Sequence, residues 1–199
     1  MKLFNRIIYV ITLIFSFQAP SQADDIRDFQ IEGMSVGDSA LDYFSEKEIK
    51  KEEQDSTKMG KKFLIIYSPH EAEVYDWIQI TYKVNDKKYL IHSVAGLFNF
   101  SANIKACKKK MKEIENEMKD LFIDSPRIIR RADEKHPSDK SGKSKFTSFD
   151  ILPKSGGWAT IGCTDWSDEL TEKENWKDSL RVGVYSEEYS NYLRYEAYK

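Results

Sequence analysis

Residues 104–121 read IKACKKKMKEIENEMKDL, and their apolar positions (Ile104, Cys107, Met111, Ile114, Met118, Leu121) are spaced 3-4-3-4-3. That spacing runs one apolar stripe down a helix, with Lys, Glu and Asp on the remaining surface. Such a stripe has to be buried against a second layer, and Cys107 lies within it. The only other cysteine, Cys163, lies in WATIGCTDW (158–166), where Ile161 and Cys163 share parity. A strand there turns both side chains to one face. If the helix covers that face, the two sulfurs meet, and an even pair of cysteines in an oxidising compartment is most simply one disulfide.

Working toward the N-terminus, Ser101 or Asn103 can cap the helix, and Gly96 breaks the preceding β pattern. Trp77–Lys83 alternates, with Ile78, Ile80 and Tyr82 on one side. Val84–Lys88 supplies a turn, and Tyr89–Ala95 resumes β character, which together predict a hairpin. Phe63–Tyr67 reads as a buried strand. Residues 45–62 carry eleven charged side chains in eighteen, which predicts a solvated helix followed by a flexible link.

Toward the C-terminus, residues 123–145 have no apolar period and are expected to form a mobile basic segment. Phe146–Leu152 and Gly157–Trp166 read as strands. Residues 167–179 are charged and turn-like, and Leu180, Val182 and Val184 alternate as a last strand. Ser186 caps a terminal helix carrying Tyr189, Tyr192 and Leu193 near one face. The expected fold class is α+β: an antiparallel sheet of about five strands packed against one long central helix, with a short terminal helix.

The first 23 residues read as a cleavable export signal. Lys2 and Arg6 form a positive start, Ile7–Phe17 an apolar run of eleven, and Ser21 and Ala23 the small side chains a signal peptidase accepts. Eleven apolar residues are too few to span a bilayer, which takes about 20. The expected organisation is a signal over 1–23 and a single domain over 24–199, in a periplasmic or secreted protein. Of 199 residues 40% are apolar and 32% charged, a globular composition. Loss of Lys2 and Arg6 leaves 29 of 31 basic residues against 33 acidic ones, so the net charge moves from -2 to -4. A slightly acidic balance argues against a nucleic-acid binder.

Ile31-Glu32-Gly33-Met34-Ser35-Val36-Gly37-Asp38-Ser39 is a turn leading into a helix. Gly33 and Gly37 permit dihedrals that side chains forbid, and Ser35 and Asp38 can satisfy free amides. This I-x-G-M-S-x-G-D-S opening resembles that of an uncharacterised family of small secreted bacterial proteins, a likeness extending to the Cys-bearing helix and strand. That family implies export but transfers no activity. More remotely the stretch is similar to a strand-Gly-Met-Ser/Thr-helix segment of small envelope-assembly lipoprotein domains, although no Cys stands beside the cleavage point to carry a lipid.

Chemistry-bearing residues are sparse. There is no nucleophile elbow, phosphate-cradling loop or dinucleotide fingerprint, so no cofactor is implied. Two cysteines without nearby His partners do not make a zinc site. His70 and His92 are the candidates for a small hydrolase working with Asp or Glu partners, while His136 falls in the segment expected to be mobile. Arg127–Lys145 carries seven basic residues, among them Arg127, Arg130 and Arg131, against three acids. It suits an acidic partner or peripheral contact with an anionic surface. Trp158, Trp166 and Trp176 fall within nineteen residues, and the parity of Trp158 and Trp166 points them away from Cys163. If exposed, they form a patch that invites a partner. The function these features predict is a non-catalytic binding module for an envelope protein or soluble ligand, contacting it through Trp158 and Trp166 or the basic segment; the hydrolase is the alternative.

Overall fold

The computed structural model describes residues 25–101, 103–122 and 127–197; the expected signal over 1–23 lies outside the described residues. Two 3-10 turns (Ile26–Asp28, Ala40–Asp42) lead into α1 (Glu46–Glu52). Then come β1 (Thr57–Met59), β2 (Phe63–Tyr67), β3 (Trp77–Lys83), β4 (Ser93–Asn99) and α2 (Ile104–Leu121). The second half runs β5 (Arg127–Lys135), β6 (Lys145–Leu152), β7 (Trp158–Asp165), α3 (Asp168–Glu174), β8 (Ser179–Tyr185) and α4 (Glu187–Tyr195).

All eight strands form one antiparallel sheet in the order β1-β2-β3-β4-β8-β7-β6-β5. Strands β1–β4 and β5–β8 are two meanders, and their last strands pair at the centre, with Val94 opposite Val184 and Phe98 opposite Leu180. The architecture corrects the expectation of about five strands against one central helix: among the described residues this is a mostly-sheet fold of eight strands with four helices. Two strands were hidden for physical reasons. Strand β1 is three residues long within the charged 45–62 stretch, and β5 lies within 123–145 on an edge where it buries little. The segment expected to be mobile therefore contains a nine-residue strand. The charged 167–179 stretch likewise holds a helix, α3.

Local chemistry explains the helices. Ser45 and Glu48 form a reciprocal cap: the Glu48 amide donates to Ser45 Oγ, and Glu48 Oε2 accepts the Ser45 amide at 2.8 Å. Fully buried Ile49 anchors the otherwise charged α1 to the core. Asn103 caps α2 by accepting the Ala106 amide at 3.1 Å, and Ser186 caps α4 through the Tyr189 amide.

One face of the sheet carries the main core. Ile78, Ile80 and Tyr82 of β3 share it with Val94, Val182, Ile161 and Phe149 across the neighbouring strands. Helix α2 lies over β7 and β8 on this face and buries Cys107, Met111 and Met118, with Phe122 just beyond its end. Burial is worth about 2 kcal/mol for each of the larger side chains. Cys107 and Cys163 are disulfide-bonded, with Cα atoms 6.0 Å apart, tying α2 to β7. On β4 the Tyr75 ring rests on Gly96 so closely that a Cβ there would come within 2.3 Å of it, and Ile31, Met34, Phe44 and Ile49 of the N-terminal segment join the same core.

Among the described residues the opposite face carries a helix at one end only. There α4 packs Tyr189 and Tyr192 onto Phe63 of β2 and Tyr185 of β8. No helix among the described residues is long and apolar enough to cross a membrane. That observation and the disulfide are compatible with a secreted or periplasmic protein.

Candidate functional site

The helix-free part of the second face is laid out by register. One row across the sheet reads Trp77, Leu97, Arg181, Gly162, Ser148 and Arg131 on β3, β4, β8, β7, β6 and β5. The adjacent row holds Gln79, Ala95, Gly183, Thr160 and Asp150. Asp150 is 1% exposed, so its carboxylate has left water and must find donors within the protein. It finds four. Thr160 Oγ1 donates to Oδ1 at 2.5 Å and Trp158 Nε1 to the same oxygen at 3.2 Å; Ser148 Oγ and the Arg131 guanidinium donate to Oδ2.

Two of the sequence candidates, Arg131 and Trp158, are thus joined through a carboxylate that sequence reasoning passed over. Trp158 is half-buried, stacked on Tyr185 at 5.0 Å with the Arg194 guanidinium beside it. It ties the α4 end of the sheet to the Asp150 network. Trp166 lies past the end of β7, about 26 Å further along the chain at ~3.3 Å per strand residue. It packs on His136 at 4.4 Å and on Trp176 at 4.5 Å, and its amide donates to buried Asp178. Lys143, Asp165, Asp168 and Glu169 rim a shallow depression beside it. Trp158 and Trp166 therefore do not make one patch.

Strand β5 carries Arg127, Arg130 and Arg131, which its alternation sends different ways. Arg130 faces the α2 side, over the Phe149 ring at 4.8 Å, and donates to Glu115 Oε1 at 2.9 Å. Lys112 and Lys119 reach the same carboxylate at 3.2 and 2.6 Å. Burial pushes the Glu115 carboxyl up, but the hydrogen bonds from Lys119, Arg130 and Lys112 outweigh it and hold it at about 2. Three cations around one anion leave a surplus of positive charge at this corner. Arg131 turns to the second face and Asp150, and Arg127 is exposed with no charged partner among the described residues.

Between Arg127 and Arg131 the strand is regular. Its register then shifts between Arg131 and Glu134, with Asp133 at φ 51°. Ile128 on this strand is 45% exposed. Strand β5 ends the sheet, pairing only with β6, so among the described residues its outer backbone edge is open.

The histidines are arranged less favourably for catalysis. Parity places His92 with Leu90 and Val94, but a bend before β4 changes the alternation: Ile91 and Val94 enter the main core, and His92 packs edge-on against Phe63 of the second cluster. His92 Nδ1 lies 3.0 Å from Ser186 Oγ and 4.0 Å from a Glu188 carboxylate oxygen. Both contacts fall on one ring nitrogen, whereas a base relay needs nucleophile and acid on opposite nitrogens. Ser186 Oγ also caps α4. His70 pairs with Glu48 at 3.1 Å, both of them largely in solvent, and packs edge-on against Phe44. Among the described residues no three His, Cys, Asp or Glu side chains are grouped to hold a metal ion.

Sequence reasoning missed two further members of the open face. Trp77 is 45% exposed, and Arg181 donates to Gln79 from the central strand. The signal for Trp77 was available, since its parity is opposite to that of Ile78, Ile80 and Tyr82, which places it on the other side of the strand. The chain matches no protein-family model, no curated protein and no solved structure.

Proposed function

We propose that the protein is an exported, non-catalytic binding module that engages a partner protein through the arginine-bearing edge of its sheet. The observation that carries this reading is β5: a nine-residue strand with one paired side, three arginines and a half-exposed isoleucine. Open edges template pairing with other chains; the charges and the bulge on β5 guard it against indiscriminate pairing and leave a partner of complementary charge as the fit, arginine being prominent among side chains that anchor interfaces. The periplasm or the extracellular space is supported by the disulfide and by the positive, apolar and small-residue pattern of 1–23.

The test is cross-linking in the native envelope fraction, comparing the wild type with an Arg127→Ala, Arg130→Ala double variant. The expected result is a discrete adduct that falls several-fold in the variant. An adduct equally abundant in both, or none in either, overturns the reading.

A further inference from the structure

From the edge geometry we infer that the partner contributes an extended acidic segment, which adds to β5 as a ninth, antiparallel strand. This deepens the function proposed above and rests on it. Three observations fix the mode. First, the outer edge of Arg127–Arg131 is regular, and alternate N–H and C=O groups of a terminal strand point away from the sheet. Second, the bulge after Arg131 disrupts only the following residues, so a partner strand finds about five positions in register before the edge is spoiled. Third, the charge available is positive on both sides of the strand. Arg127 has no charged partner among the described residues, and on the helix side Lys112, Lys119 and Arg130 share one carboxylate.

The same charges argue against a second copy of this chain. An antiparallel pair of β5 strands centred on Ile129 would set Arg127 opposite Arg131, which Asp150 already pairs, and Arg130 opposite Ile128, so it offers no acid to Arg127 or Arg130. Charge alone would also suit anionic headgroups, but a lipid surface leaves the open backbone edge unpaired, whereas an added strand pairs it.

Register then specifies the ligand. Opposite Arg127 and Arg130 it places acids, and opposite Ile128 and Ile129 β-branched apolar residues. Opposite Arg131, already committed to Asp150, an uncharged residue suffices. Read from its own N-terminus, the complementary segment is Thr-Glu-Val-Val-Glu. The first Glu lies on the α2 side within reach of the surplus cations, and the second meets Arg127 on the opposite face.

The experiment titrates the mature, disulfide-bonded protein with a capped peptide containing Thr-Glu-Val-Val-Glu, with a Thr-Lys-Val-Val-Lys control and with the acidic peptide N-methylated along its backbone. Strand addition requires that the acidic peptide bind, that the lysine and N-methylated peptides not bind, and that amide exchange in β5 slow on binding. The Arg127→Ala, Arg130→Ala variant should bind about tenfold more weakly. Equal binding of the N-methylated peptide overturns strand addition and leaves a surface that recognises acid by charge alone. Failure of the acidic peptide, while the envelope adduct still depends on Arg127 and Arg130, overturns this inference and leaves the binding-module reading standing; loss of both removes both. Sedimentation with phosphatidylglycerol vesicles that depends on the same two arginines, without peptide binding, assigns the edge to lipid and overturns the inference.

Discussion

Asp150 accepts from four side chains on three strands, so a single carboxylate locks Arg131, Ser148, Thr160 and Trp158 into fixed rotamers. Replacing it with Ala leaves those donors facing a buried void and is expected to cost about 3 kcal/mol, read as a lowered urea midpoint at unchanged slope. His92 and His136 set the pH response. Burial depresses both below the ordinary value of 6.5, so the unfolded chain takes up protons before the folded one does. Stability contributed by these neutral rings is complete above about pH 6.5 and drains away as pH falls through the lower folded values. Urea midpoints at about pH 7.5 and pH 5.5 should therefore differ, and a His92→Gln, His136→Gln variant should lose most of that difference. At this scale the sequence was partly legible. The pairing of Cys107 with Cys163 followed from a helical stripe and a strand parity, both local patterns. The Asp150 network did not, because nothing along the chain marks which of 33 acids will be buried.

Among the elements, α2 and β7 are joined by the disulfide, which closes a loop with a sequence separation of 56. Chain-entropy arguments give about 4 kcal/mol for a closure of that length. Reduction, or a Cys107→Ala, Cys163→Ala variant, is expected to lower the unfolding free energy by roughly that amount in urea titrations with and without a thiol reductant. Elements that bury one face were legible: β3 alternates, β2 is an apolar run, and α2 shows its stripe. Edge elements were not. Strand β5 exposes most of its residues, so neither face selects apolar side chains and no period develops. Strand β1 is too short to show one. Helix α3 buries no side chain and reads simply as charge. The bend at His92 was illegible for another reason: a one-residue change of alternation reverses every parity argument beyond it.

For the whole molecule, the informative feature is the seam between β4 and β8, where two consecutive meanders meet in the middle of one sheet. The two helices that follow those strands go to opposite faces, α2 over the core and α4 over the Phe63 cluster, so neither meander supplies all of its own cover. The net charge of -2 does not reveal that Lys112, Lys119 and Arg130 gather on one carboxylate beside β5, a placement that composition alone did not locate. Both sulfurs lie C-terminal to the chain passage between Asn99 and Ile104, so a cut there severs no covalent cross-link. Two separately produced polypeptides divided at that passage should recombine into one particle on mixing, with restored Trp emission and co-elution on a sizing column, because seven facing pairs from Ser93/Tyr185 to Asn99/Ser179 form a ready-made dovetail. If the halves stay apart at micromolar concentration, the peptide bonds across that passage are holding the joint closed, and the molecule is a clasped pair that depends on its hinge.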